Sequence, residues 1–193
     1  MTIGILALQG DFTEHILMLK KLGIKTAEIR KPGELDHIKG LIIPGGESTT
    51  MMKLMHSFDL IDPIKKFAAN KLPVWGTCAG LICIANNVHN PDSTRMETLG
   101  LMNITVERNA FGRQVDSFET KLQIAELQDG PFPGVFIRAP YIEKAGKGVE
   151  VLAALPDGRI VAARQDNLLA TSFHPELTSD TRFHRYFSEL VPA

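Results

Sequence analysis

Val74-Trp75-Gly76-Thr77-Cys78-Ala79-Gly80-Leu81 sets a cysteine between two glycines, after a short apolar strand-like run and before an apolar helical one. Gly76 to Gly80 reads as G-x-C-x-G, the thiol counterpart of the nucleophile elbow, a sharp turn from strand to helix. Such a turn strains the dihedrals of its central residue, so its close neighbours must be small. At the start of a helix, unpaired N–H groups and the positive end of the dipole favour thiolate over thiol. The N–H of Ala79 would point at an oxyanion forming on a substrate carbonyl. A cysteine in a β–α core is ordinarily a packing residue; the two glycines at a strand–helix junction set Cys78 apart. Cys83 lacks that setting and reads as core beside Leu81, Ile82 and Ile84.

Outward from the elbow, short apolar runs alternate with amphipathic stretches, the pattern of βαβ units around a parallel sheet. Residues 3–8, 25–29, 40–43 and 73–75 read as strands. Phe12, Ile16, Leu19 and Leu22 recur at helical spacing, with Asp11 as cap and Glu14 completing a capping-box pattern. Further helices are expected from about Thr49 and over 59–69. From Leu99 the rhythm changes: 101–108, 118–127, 134–136, 149–155, 159–163 and 168–173 are all strand-like, which predicts antiparallel pairs added to a parallel core. A last helix follows Ser179-Asp180, with Phe183, Tyr186, Phe187 and Leu190 on one face. With no repeat and no linker, the expectation is one α/β domain over 1–193: a three-layer sandwich with a mostly parallel central sheet and antiparallel additions.

The strand at 168–173 runs into His174-Pro175-Glu176. Proline disfavours helical dihedrals in the residue before it, so His174 is expected to be extended. Residues i and i+2 of an extended segment project to the same side, which lets Glu176 reach one imidazole nitrogen while the other faces a thiol. That is the logic of a triad, with the carboxylate fixing the tautomer and stabilising the imidazolium. Alone, His-Pro-Glu reads as a turn after a strand; beside a G-x-C-x-G elbow it predicts Cys78 as nucleophile, His174 as base and Glu176 as orienter. His15, His37, His56, His89 and His184 have no metal-ligand spacing, so no metal is expected. His15 and His184 read as helical residues, partly exposed or packed.

Composition narrows the function classes. The 193 residues are 44% hydrophobic with a formal net charge of -1, enough for a sizeable core and without a basic stripe for nucleic acid. No apolar run is long enough to span a bilayer as a helix, and Met1 leads straight into a strand-like run with no leader pattern. Two cysteines spaced as Cys78 and Cys83 make neither a disulfide framework nor C-x-x-C, which fits a reducing cytoplasm.

A third segment, Ile42-Ile43-Pro44-Gly45-Gly46-Glu47-Ser48-Thr49-Thr50, is glycine-rich between strand and helix, but no Gly-Lys-Ser/Thr follows, which speaks against a phosphate loop. The alternative is a loop whose backbone amides approach a substrate closely. Together with Gly4-Ile5-Leu6-Ala7-Leu8-Gln9-Gly10, the elbow, Phe136-Ile137-Arg138-Ala139-Pro140 and Phe173-His174-Pro175-Glu176, it resembles the class I glutamine amidotransferases with their Cys-His-Glu glutaminase domains. Cys78-Ala79-Gly80 and Gly46-Glu47-Ser48 narrow the resemblance to the glutaminase subunits of pyridoxal 5′-phosphate synthase.

The resemblance implies hydrolysis of L-glutamine to L-glutamate and ammonia without a cofactor, and a heteromeric complex with a synthase subunit that receives the ammonia. By matching motifs, Gly46, Glu47, Ser48, Arg108, Ile137 and Arg138 would contact glutamine, and amides of Gly46 and Ala79 would form the oxyanion hole. Arg108, in Val106-Glu107-Arg108-Asn109, suits a carboxylate as a bidentate fork or organises the pocket by charge, and is otherwise an ordinary strand-end arginine. Glu47 would accept from a substrate ammonium or cap the following helix. Gln9 and Gly10 fall at the end of the first strand, where crevices of α/β sheets form. Residues 85–92 carry no readable signal, and 139–149 is a segment where a partner could dock. The rival readings are a cysteine peptidase or γ-glutamyl hydrolase on the same scaffold, a non-catalytic regulatory subunit, and, more distantly, a nucleotide-binding module.

Overall fold

The computed structural model describes residues 1–89, 96–108 and 117–192. Its first half follows the expected alternation as far as α4: β1 (Thr2–Leu6), α1 (Phe12–Lys21), β2 (Lys25–Ile29), a 3-10 turn at Pro32–His37, β3 (Gly40–Ile43), α2 (Ser48–Ser57), α3 (Ile61–Ala69), β4 (Val74–Thr77) and α4 (Ala79–Ile84), with β5 (Ala85–His89) added. The second half is strand-rich: β6 (Met102–Glu107), β7 (Ser117–Leu122), β8 (Phe132–Ile137), β9 (Tyr141–Ala145), β10 (Glu150–Ala154), β11 (Ile160–Gln165) and β12 (Leu168–Thr171), closed by α5 (Arg182–Leu190).

The main sheet runs β2-β1-β3-β4-β12-β11-β9-β6-β5, with β10 on β11. From β2 to β12 all pairings are parallel, and the pairs β12–β11, β11–β9, β9–β6 and β11–β10 are antiparallel. The pairing of β4 with β12 positions the site, because Thr77 lies opposite Thr171 and the two chain ends beyond them, at Cys78 and at His174, leave the same edge of the sheet.

Alternation along the strands fills two cores. Leu41, Ile43 and Val74 face the layer built by α2, α3 and α4, while Ile42 and Trp75 face α1 and α5. This is the three-layer α/β arrangement expected, with helices on both faces. Among the described residues β7 and β8 pair only with each other, and they lay Phe132 and Phe136 on the α1/α5 side.

The differences from expectation are local. β5 and β9 fall in stretches that carried no strand signal, 85–92 and 139–149; residues 90–92 and Asn109 lie outside the described residues. The strand read over 118–127 stops at Leu122, where the chain turns and Leu127 N–H bonds back to Ile124 O at 3.0 Å. Asp11 does stand at the N-cap of α1 but caps nothing with its side chain, so the capping box with Glu14 does not form. Its carboxylate turns to His174 instead, with Oδ2 3.6 Å from Nδ1.

Candidate active site

The elbow, the glycine loop, Arg108, Ile137-Arg138 and His174 line one cleft of about 570 Å³. Cys78 sits between β4 and α4 at φ 48°, ψ −103°, a left-handed conformation that a side chain adopts at a cost of about 1–3 kcal/mol. Its backbone N–H bonds to Thr171 O at 2.8 Å, tying the elbow to β12. The flanking glycines are explained by contact: a Cβ on Gly76 would lie 2.5 Å from Gly80 O, and one on Gly80 would collide with Ile43 O. The turn is therefore packed too tightly for any side chain on either residue.

His174 follows β12 and is buried, with Nδ1 2.7 Å from Glu176 Oε1. His174, at φ −104°, ψ 85°, avoids the helical region as a residue before proline should but is not in the extended strand conformation expected, and Pro175–Leu177 then winds into a 3-10 turn. That turn, rather than strand alternation, folds the Glu176 carboxylate back onto the ring. His174 N–H donates to Val135 O at 2.8 Å, and Cys78 Sγ lies 3.9 Å from Ile137 O, so β8 touches both residues. Burial would push the His174 imidazole down, but its hydrogen bonds and charge interactions with Cys78 and Glu176 prevail and raise it to about 10. Burial moves the Glu176 carboxyl above its ordinary range even against the pull of His174. Cys83, fully buried in the helix behind, has its thiol pushed up to about 12 by burial, in keeping with a packing role.

The glycine loop lies across the imidazole. A Cβ on Gly45 would stand 2.5 Å from His174 Cε1, so only glycine permits this approach. Gly46 follows, and Glu47 N–H donates to Gln9 Oε1 at 2.9 Å, which ties the loop to the end of β1. The Glu47 carboxylate caps α2, accepting from Thr49 N at 3.1 Å and Thr50 N at 2.6 Å. These donors outweigh its partial burial and hold it below the usual carboxylate range. Arg108 reaches over with Nη2 3.5 Å from Glu47 Oε1. Ser48, Ile137 and Arg138 complete the wall, Arg138 in a left-handed conformation at φ 44°. Arginines and carboxylates thus face the same space a short way from the sulfur, with Ala79 at the floor beside Cys78.

Of the two alternatives for the helical His15 and His184, partly exposed or packed, the second holds. His15 and His184 are fully buried, and His15 stands against Glu176 and Thr77. The signal was present: His15 follows Phe12 by three residues and precedes Leu19 by four, which places it on the buried stripe of α1. Two groups of possible metal-ligand atoms occur among the described residues, Asp11 with His174 and Glu176, and His89 with Glu107 and Glu143. The first is the hydrogen-bonded pair already described with Asp11 beside it, and the second is on the surface.

Residues 5–192 match the model of the SNO glutamine amidotransferase family. A pyridoxal 5′-phosphate synthase subunit PdxT from Dehalococcoides mccartyi is 60% identical over 99% of this chain and 97% of its own. The protein of that name from Herpetosiphon aurantiacus is 58% identical over 97% of this chain and 98% of its own. A crystal structure described as a glutamine amidotransferase superposes with a TM-score of 0.91 at 50% identity, covering 97% of both chains. PurLQS from Thermotoga maritima, at 14% identity and a TM-score of 0.72, shares the fold. The elbow, the glycine loop and the His-Pro-Glu turn are therefore found in a chain that belongs to the SNO glutamine amidotransferase family.

Proposed function

We propose that this chain is the glutaminase subunit of a pyridoxal 5′-phosphate synthase, hydrolysing L-glutamine to L-glutamate and ammonia and passing the ammonia to a synthase subunit. The observation that carries the chemistry is the meeting of Cys78, on its strained turn, with the 2.7 Å His174–Glu176 pair in a cleft bearing charges of both signs. A free amino acid presents an ammonium and a carboxylate next to its reacting side chain. Arg108 and Arg138 suit the carboxylate, and Glu47 suits the ammonium. The near full-length identity to PdxT proteins supports the choice of complex.

In this reading the Cys78 sulfur attacks the side-chain amide carbon, and amides of Gly46 and Ala79 hold the oxyanion. His174 takes the Cys78 proton as the sulfur attacks and gives it to the departing nitrogen, so ammonia leaves and a glutamyl thioester remains. Water then loses a proton to His174 and attacks the thioester, releasing glutamate and returning the thiol. Glu176 holds the imidazole in orientation through Nδ1. Ammonia released into water becomes ammonium, which cannot attack an electrophile, so transfer requires a docked partner and an internal passage.

The test is release of ammonia and glutamate from glutamine by the purified chain, alone and with a pyridoxal 5′-phosphate synthase subunit. Turnover that rises strongly with the partner and disappears in Cys78→Ala is expected. No release in either condition, or substantial release by Cys78→Ala, overturns the assignment.

A further inference from the structure

Behind the Cys78–His174–Glu176 set lies a second polar cluster that the mechanism above does not use. His15 is 0% exposed on α1, His184 is 0% exposed on α5, and Thr77 is 0% exposed at the end of β4, next to Cys78. His15 Nδ1 is 2.9 Å from His184 Nε2, and His15 Nε2 is 3.2 Å from Thr77 Oγ1 and 3.4 Å from Glu176 Oε2. Glu176 Oε2 is buried and has no well-aligned hydrogen-bond partner, while Oε1 is taken by His174. His15 is thus in direct reach of both the residue before Cys78 and the free oxygen of Glu176.

The tautomers follow from which groups lack partners. If His15 donated from Nδ1 to His184, its bare Nε2 lone pair would face the carboxylate oxygen, and His184 would bury an unpaired Nδ1–H. If His184 donates from Nε2 to His15 Nδ1, His15 presents Nε2–H to Thr77 and Glu176, and His184 Nδ1 is left as an acceptor. Buried orphan N–H groups are rarer than orphan acceptors, and a lone pair against a carboxylate is repulsive. Both arguments select the second arrangement.

We propose that His15 is a positioning residue: a neutral imidazole, locked as its Nε2–H tautomer by His184, that braces Thr77 and the Oε2 of Glu176 and so holds the carboxylate ionised and aligned on His174. The inference rests on the functional reading above for what the triad does. Burial keeps His15 well below the ordinary histidine range, so it acts as a dipole and not as a cation. Burial also raises Glu176, which makes a second N–H on its carboxylate consequential. The groups facing this cluster are His174 and Asp11 toward Glu176, His184 and His174 toward His15, and Lys21 toward His184.

The experiment compares His15→Phe, His15→Gln and His184→Leu with the parent chain, in complex with the synthase subunit. Two readouts are taken against pH: glutamine turnover, and alkylation of Cys78 by iodoacetamide, from which the fully buried Cys83 should be shielded. His15→Phe keeps the ring but removes the donor. It should lower kcat about 10- to 100-fold, the worth of a hydrogen bond to a charged group, with KM changed about threefold or less. The acid limb of both profiles should move to higher pH, since Glu176 then protonates more readily. The side-chain N–H of His15→Gln should recover most of the rate. His184→Leu, which frees the tautomer, should move the acid limb the same way by less, and it carries the test if His15→Phe fails to fold. Unmoved acid limbs, or equal losses in the Phe and Gln variants, overturn the proposal. If the parent chain releases no ammonia, the glutaminase reading fails, and the alkylation profiles still decide the role of His15.

Discussion

Two neutral imidazoles sealed in the core make stability depend on pH in a calculable way. His184 has its pKa lowered to about 3 by burial, with Lys21 adding to the effect. Unfolded, the same ring titrates near 6.5. A base whose folded pKa is depressed leaves stability intact above the unfolded value and removes it as pH falls below that value, because only the unfolded chain then takes up the proton. Between pH 7 and pH 5 His184 alone should remove about 2 kcal/mol, at about 1.4 kcal/mol per pH unit below 6.5. His15, also lowered by burial, adds to the loss in the same direction. His174 works oppositely: raised to about 10, it contributes stability present in full below about 6.5 and lost as pH rises through about 10. Stability should therefore peak near pH 6.5 and fall on both sides. The assay is urea unfolding at a series of pH values for the parent chain and for His184→Leu. The variant should be less stable at pH 7, having lost a buried hydrogen bond, yet lose about 2 kcal/mol less than the parent between pH 7 and pH 5. Parallel pH profiles for the two proteins would refute the reasoning, for they would mean that His184 is protonated alike in the folded and unfolded chains.

Two further expectations address the site and its scaffold. Glu176→Gln keeps the shape of the side chain but removes its charge, and should lower kcat for glutamine about 10²- to 10⁴-fold with binding little changed, read by steady-state kinetics of the complex. Gly80→Ala places a Cβ against the Ile43 and Pro44 carbonyl oxygens, and should destabilise the chain by about 2–3 kcal/mol or more in chemical unfolding, whereas an unchanged midpoint would show that the β4–α4 turn has room to spare.

The parallel half of the fold was legible because β1, β3 and β4 are short apolar runs followed by a turn or a helix signal. β2 and β3 match their expected limits, and the elbow announced itself through two glycines that the packing requires. β5 and β9 were not legible. β5 reads Ala-Asn-Asn-Val-His, with too little apolar content to register, and takes its strand form from pairing with β6. β9 reads Tyr-Ile-Glu-Lys-Ala and is fixed by β6 and β11 on either side. Tertiary pairing decides such segments over local propensity. Cys78, His174 and Glu176 could be picked out because their motifs are local. His15 and His184 could not, since a sequence separation of 169 closes only when α1 and α5 pack on the same face of the sheet.

The same packing explains why a hairpin that pairs with no strand of the main sheet matters to the site. β8 accepts the His174 N–H through Val135 O and lies against the Cys78 sulfur through Ile137 O, so its position sets the gap between them. Its strand partner among the described residues is β7, and beyond the His174–Val135 hydrogen bond what fixes it to the body of the protein is aromatic packing. Phe136 stacks on Phe118 at 4.6 Å and meets Phe173 edge-on at 5.7 Å, and Phe132 meets Phe183 at 5.4 Å. Phe173 immediately precedes His174, and Phe183 stacks on Trp75, three residues before Cys78, at 5.6 Å. The run of rings from β8 through Phe173 and Phe183 to Trp75 therefore connects the chain just ahead of the base with the strand that presents the cysteine. Such interiors are close-packed and deform little. A ring lost from this run would loosen both residues at once, so the hairpin's hydrophobic face belongs to the support of the site as much as to the core.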